Sequence, residues 1–217
     1  MPASSAPARV LVAAPAAPAA VALLSFGLPP IGPELRAELH LSLPAQGAVL
    51  AAPVFGSGLA HIPAGMVIDR VGARAATFAG TLVATAGLAL AAGASRVEIL
   101  LAALALFGIG ASVVPVAGAG ALFRAYPPAR RAWALGVRQM AVPLGGTVAA
   151  VAMPVLHRAG GVEPALAVAA GMVAVAGVSF ALLPEEGPSP VRPGGRERQP
   201  LRAIWRVKCN CWQKIRA

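Results

Sequence analysis

The sequence predicts an all-α membrane protein with six transmembrane helices. Of its 217 residues, 58% are hydrophobic and only 12% are charged. A water-soluble domain carries about 25% charged residues, which cover its surface. Six apolar runs of roughly 20 residues follow one another, each long enough to cross a bilayer. Lipid is therefore the predicted solvent for most of the chain.

The six apolar runs match the thickness of the hydrocarbon layer. At about 1.5 Å per residue, 20 helical residues cover roughly 30 Å. Backbone groups in lipid must be hydrogen-bonded within their segment, so the runs are predicted as helices. The first is interpreted as a retained helix rather than a cleaved signal, because only Arg9 precedes it and further spans follow. We predict a six-helix domain over residues 1–183, with runs at 10–29, 44–66, 75–94, 98–123, 133–156 and 164–183.

Proline and glycine interrupt the fourth and fifth runs. Pro115 lies in the fourth run, and Pro143 and Pro154 lie in the fifth. A proline in a membrane helix removes one backbone hydrogen bond and bends the helix. Two interpretations stay open: tight packing in a rigid bundle, or a bendable helix that lines a cavity.

Basic residues are unevenly distributed between the two sides of the predicted bundle. Cytoplasmic loops of membrane proteins carry the excess of Lys and Arg. Both termini are therefore predicted to be cytoplasmic, in an inner or plasma membrane. Before residue 184, one side holds Arg9, Arg70, Arg74, Arg124, Arg130 and Arg131, and the other holds Arg36, Arg96 and Arg158.

Residues 184–217 differ from the rest of the chain. The segment is rich in Pro, Gly and charge at its start, and we predict a disordered, basic cytoplasmic tail. The last residues contain the chain's only lysines and cysteines, which are Lys208, Lys214, Cys209 and Cys211. A frameshift or a truncated gene would produce such a switch in composition.

A polar segment between the second and third runs reads G-x-x-x-D-R-x-G-x-R. Its defining residues are Gly65, Asp69, Arg70, Gly72 and Arg74. Gly72 suits a turn with positive φ. Asp69 is the only acidic residue on the predicted cytoplasmic side before the tail, and it is expected to seek a cation or a helix N-terminus. The two arginines are expected to face anionic lipid or helix C-termini.

This segment resembles the loop between the second and third helices of the major facilitator superfamily of secondary transporters. A second stretch, residues 130–146, is similar to the start of the fifth helix in many bacterial members, with Gly-x-x-Gln followed by Pro-x-Gly-Gly. The resemblance implies the amino-terminal half of a fold built from two six-helix halves around a cavity. It also implies that the polar segment is a gating loop, whose acidic residue bridges to the other half.

Arg138 and Gln139 are the predicted substrate-binding residues. Arg138 lies about two turns inside the fifth run, where a buried cation is costly and marks a functional site. It would attract an anionic solute, and Gln139 would add hydrogen bonds. The alternative is that the arginine snorkels to the interface, since two turns measure about 11 Å.

Other chemistries have weak support in the sequence. Ser112 lies in the fourth run, where a six-span intramembrane serine protease has its catalytic serine. Such a serine needs a general base, and the sixth run contains no histidine to act as one. Cys209 and Cys211 would supply at most half of a tetrahedral metal site. Glycine-rich nucleotide loops do not occur, and the basic clusters fit membrane loops better than nucleic acid. No catalytic residue, metal, cofactor or nucleic acid is therefore expected, and the chain is not expected to be an enzyme.

The expected function is secondary active or facilitative transport of small organic or anionic solutes. The alternative is a non-transporting membrane subunit or an inactive truncated fragment. A homodimer, or a missing second half, would complete a twelve-helix carrier.

Overall fold

The computed structural model describes residues 18–22 and 24–181, without the side chains of residues 124, 125, 180 and 181. The first helix, α1, covers residues 18–22 and 24–27. A 3₁₀ turn at Pro29–Ile31 then leads into the short helix α2, Gly32–Glu38. The remaining helices are α3 (Leu43–Val71), α4 (Ala73–Ala92), α5 (Val97–Ala111), α6 (Val113–Ala125), α7 (Pro128–Gly160) and α8 (Val162–Ala181).

Five helical stretches in the described ranges are long and apolar enough to cross a membrane. They correspond to the second to sixth predicted runs, and the prediction of an all-α membrane protein is confirmed. The first predicted run and the predicted tail lie partly or wholly outside the described residues, so the tail remains a prediction. The five stretches are Leu43–Val71, Ala73–Ala92, Val97–Phe123, Pro128–Gly160 and Val162–Ser179.

Close helix contacts centre on α5, which packs against α3 and α4, while α4 also packs against α8. Glycines make the α3–α5 crossing tight. A Cβ atom at Gly108 of α5 would lie 2.0 Å from the carbonyl oxygen of Pro53, and one at Gly56 of α3 would lie 2.2 Å from that of Ala105. Small residues allow membrane helices to approach closely in this way.

The fourth predicted run is one apolar helical stretch with a one-residue break in its helix assignment. α5 ends at Ala111 and α6 begins at Val113, with Ser112 between them. The Ser112 hydroxyl donates to the carbonyl of Ile109 at 2.7 Å. Pro115 has no N–H and leaves the carbonyl four residues earlier without its helical donor. The interruption follows from this missing hydrogen bond and from the local bonds of Ser112.

Buried apolar residues form two clusters. The smaller cluster lies near the end of the bundle that carries Gly72. It joins four helices through Ala64 of α3, Ala76 of α4, Leu122 of α6 and Ala134 of α7, all of which are buried. The larger core lies towards the other end and includes Leu28, Leu88, Leu104, Phe107 and Leu166.

Candidate functional site

Helix α7 carries the predicted substrate residues, and it buries Arg138 against α6. Arg138 is only 6% exposed. Its Nη2 atom donates to the carbonyl oxygens of Pro115 at 3.3 Å and, more weakly, Val114 at 3.5 Å. A Cβ atom at Gly118 would lie 2.9 Å from the Arg138 Nε atom, so the absence of a side chain there makes room for the guanidinium.

The burial of Arg138 bears on the two interpretations of its side chain. A snorkelling arginine would place its guanidinium at the membrane interface. Here the guanidinium contacts α6 carbonyls beside the α5–α6 interruption, within the bundle. These contacts favour the substrate-binding prediction over the snorkelling alternative, because the carbonyls of α6 offer acceptors that the hydrocarbon does not.

The charge of Arg138 is not balanced by a carboxylate among the residues that the structure describes. The two ion pairs found there join Arg96 to Glu98 and His157 to Glu38. The Nε atom of Arg138 is buried and has no hydrogen-bond partner in the described part of the chain. A buried charge without a counter-ion is unfavourable and demands a compensating anion or polar group.

Gln139 does not join Arg138 in a common cluster. It is exposed, although it follows Arg138 directly in α7. Consecutive residues of a helix project about 100° apart, because 3.6 residues make one turn. The two predicted substrate residues therefore lie at one depth in the membrane but point in different directions.

The predicted gating segment is almost entirely helical. Gly65, Asp69 and Arg70 belong to α3, Arg74 belongs to α4, and Gly72 alone separates the helices. Gly72 has φ 86°, and its N–H donates to the carbonyl of Ile68. The positive φ confirms the prediction of a turn at Gly72. The prediction of a longer loop around Gly72 is wrong, because both helices continue through the charged residues.

The charges of this segment are free of ion pairs within the described ranges. Asp69, Arg70 and Arg74 are all exposed, and neither ion pair of the described part includes them. A Cβ atom at Gly65 would meet nothing within 4 Å. The helix ends therefore present an acidic and two basic side chains on a surface that nothing in this bundle covers.

Two further polar groups were not singled out as site residues from the sequence. His157 of α7 is buried, with Nε2 at 3.4 Å from Oε1 of Glu38 on α2. His61 lies within α3, is exposed and contacts the carbonyl of Ser57. Both histidines lie inside apolar runs, and an ionisable residue in such a run is a sequence signal for a functional site. The described residues contain no group of three or more His, Cys, Asp or Glu side chains placed to hold a metal ion.

These features define a multi-pass helical membrane protein with an interrupted span and a buried, unbalanced cation. The chain belongs to the major facilitator superfamily, because the sequence model of that family matches residues 17–216. A solved structure titled "In meso crystal structure of the POT family transporter PepTSo" is similar, with 20% sequence identity and a TM-score of 0.67. The similarity covers 84% of this chain and 40% of that one. A search of curated proteins finds no match.

Proposed function

We propose that this chain forms half of a secondary active or facilitative transporter of small solutes, with anionic solutes as its preferred cargo. The family match and the shared fold support membrane transport as the general function. The observation that carries the choice of cargo is the buried guanidinium of Arg138, which lacks a carboxylate partner among the residues described. An anion in the transport path would supply the missing charge.

The proposed binding step assigns different tasks to the two neighbouring residues. Arg138 provides a positive potential from within the bundle, where low dielectric strengthens its attraction for an anion. Its unpartnered Nε–H remains a donor that a solute or a water molecule would satisfy. Gln139 is exposed and offers both a donor and an acceptor to a solute beside α7.

The proposed gate is formed by the α3–α4 junction, with Gly65 and Gly72 framing three charges. Asp69 forms an ion pair with a basic group of the second half in one conformation, and Arg70 and Arg74 interact with anionic lipid or with helix C-termini there. The exposure of all three charged side chains supports this assignment. Their expected location is the cytoplasmic side of an inner or plasma membrane, with both chain termini on that side.

A twelve-helix carrier requires a second half, because this chain spans about 40% of the solved transporter's length. A second copy of this chain or a separate second half would provide it. The alternative function is a non-transporting subunit or an inactive fragment. Purification in mild detergent with mass measurement separates the cases, because a strictly monomeric protein without transport supports the alternative.

Uptake by reconstituted vesicles tests the carrier and the role of Arg138 together. We expect uptake of small carboxylates and phosphates by the wild-type chain, at least a tenfold loss in Arg138→Gln, and partial retention in Arg138→Lys, which keeps the charge. Arg158→Gln is the matched control, since Arg158 is an exposed arginine of the same helix. Equal uptake by Arg138→Gln and wild-type protein would overturn the assignment of Arg138.

A further inference from the structure

We infer that His61 lines the water-filled transport path and presents an unprotonated ring nitrogen to the passing solute. This inference rests on the proposed transport function and adds a residue to its path. It assigns His61 a preference for solute groups that donate a hydrogen bond, such as hydroxyl, amide or ammonium groups. Three observations carry it: the tautomer of the ring, its depth in the membrane and its exposure.

The tautomer follows from the contact inside α3. The Nδ1 atom of His61 lies 2.5 Å from the carbonyl oxygen of Ser57, and it is also 3.5 Å from the Ser57 hydroxyl. A carbonyl oxygen only accepts hydrogen bonds, so Nδ1 carries the proton. In the neutral ring Nε2 is then a lone-pair acceptor, and its hydrogen-bonding capacity points away from the helix backbone.

The depth of His61 equals that of Arg138. His61 lies ten residues before the end of α3 at Val71, and Arg138 lies ten residues after the start of α7 at Pro128. These ends are on one side of the membrane, because two spans separate them in the chain. Both helix ends carry charged residues, so part of these ten residues lies outside the hydrocarbon layer. His61 and Arg138 therefore lie at a similar depth inside their apolar runs, counted from the same side of the bundle.

The exposure of His61 is unfavourable unless water or a solute reaches it. His61 is exposed within a span, and a Cβ atom at the neighbouring Gly58 or Gly65 would meet nothing within 4 Å. A lone-pair nitrogen facing hydrocarbon would have no donor. Polar side chains in membrane helices face a bundle interior or a water-filled cavity. The face of α3 that carries these three residues therefore faces the path.

Labelling of single cysteines tests this inference without transport. Charged methanethiosulfonate reagents react with thiolates in water and not with thiols in lipid. In protein reconstituted into vesicles, with the two native cysteines replaced by serine, we expect His61→Cys and Gly58→Cys to react at least tenfold faster than Leu59→Cys. Leu59 is the matched control, because it is 65% exposed and lies only two residues from His61, on the opposite side of the helix at about 100° per residue. The inference is overturned if His61→Cys and Gly58→Cys react no faster than Leu59→Cys.

A spectroscopic measurement tests the tautomer in the native side chain. Nitrogen NMR of ¹⁵N-histidine protein distinguishes a protonated from an unprotonated ring nitrogen. The chain has three histidines, so His61→Gln identifies the signal of His61. We expect that signal to show an unprotonated Nε2 at pH 8, and a protonated Nε2 there contradicts the inference. Loss of uptake with normal labelling would contradict the transport function instead.

Discussion

Replacing Gly108 by alanine separates α3 from α5. The added Cβ atom would lie 2.0 Å from the Pro53 oxygen and 2.9 Å from the Ser57 nitrogen. Both are backbone atoms, so no change of rotamer relieves the contact. The helices must move apart by about 1 Å to restore an ordinary separation, which loosens the crossing around it. Overpacking of this kind costs about 1–3 kcal/mol.

Thermal unfolding in mild detergent measures this cost. A loss of 1–3 kcal/mol is about a 5- to 150-fold change in an equilibrium constant, and it corresponds to a decrease of roughly 2–12 °C in Tm for a domain of this size. The control is Gly58→Ala on α3, where the new methyl group meets nothing within 4 Å. Alanine favours helix there by up to about 1 kcal/mol. Wild-type stability in Gly108→Ala would refute the argument, as would equal shifts in both variants.

Three smaller perturbations test other local features. Gly72→Ala forces a side chain into φ 86° and is expected to cost about 1–2 kcal/mol by thermal unfolding, whereas Gly93→Ala, with φ −89° and open space, is expected to cost nothing measurable. Ser42→Ala removes the cap that accepts the Ala45 N–H at 3.3 Å, and a Tm loss equivalent to about 0.5–1 kcal/mol is expected; an unchanged Tm contradicts the cap. In protein with the native cysteines replaced, Asp69→Cys should react with an impermeant maleimide only after cells are opened, and labelling of intact cells would reverse the predicted orientation.

The sequence predicted the spans well because hydrophobicity over 20 residues is a strong signal. The third run, predicted at residues 75–94, is α4, Ala73–Ala92. The fifth run was predicted too short, at residues 133–156, whereas α7 covers Pro128–Gly160. Hydropathy stops at charged residues, but helical hydrogen bonds continue through them and carry the helix beyond the apolar layer.

The candidate site was less predictable, because it depends on contacts between distant segments. Its residue types were visible, since an arginine inside an apolar run marks a site. The partner carbonyls of Arg138 lie more than 20 residues earlier, on α6, and no local pattern indicates them. The interruption at Ser112 was visible only as a bend near Pro115, because the hydroxyl contact that accompanies it is decided by the folded geometry.

The single residue between α3 and α4 has a mechanical consequence. Gly72 is the only residue between α3 and α4, and its N–H donates a hydrogen bond to the carbonyl of Ile68 in the last turn of α3. So short a connection has no spare length, and a tilt of one helix must displace the start of the other. The charges on either side of Gly72 are thereby held close together, and a displacement of one helix end moves the charges at the start of the next helix.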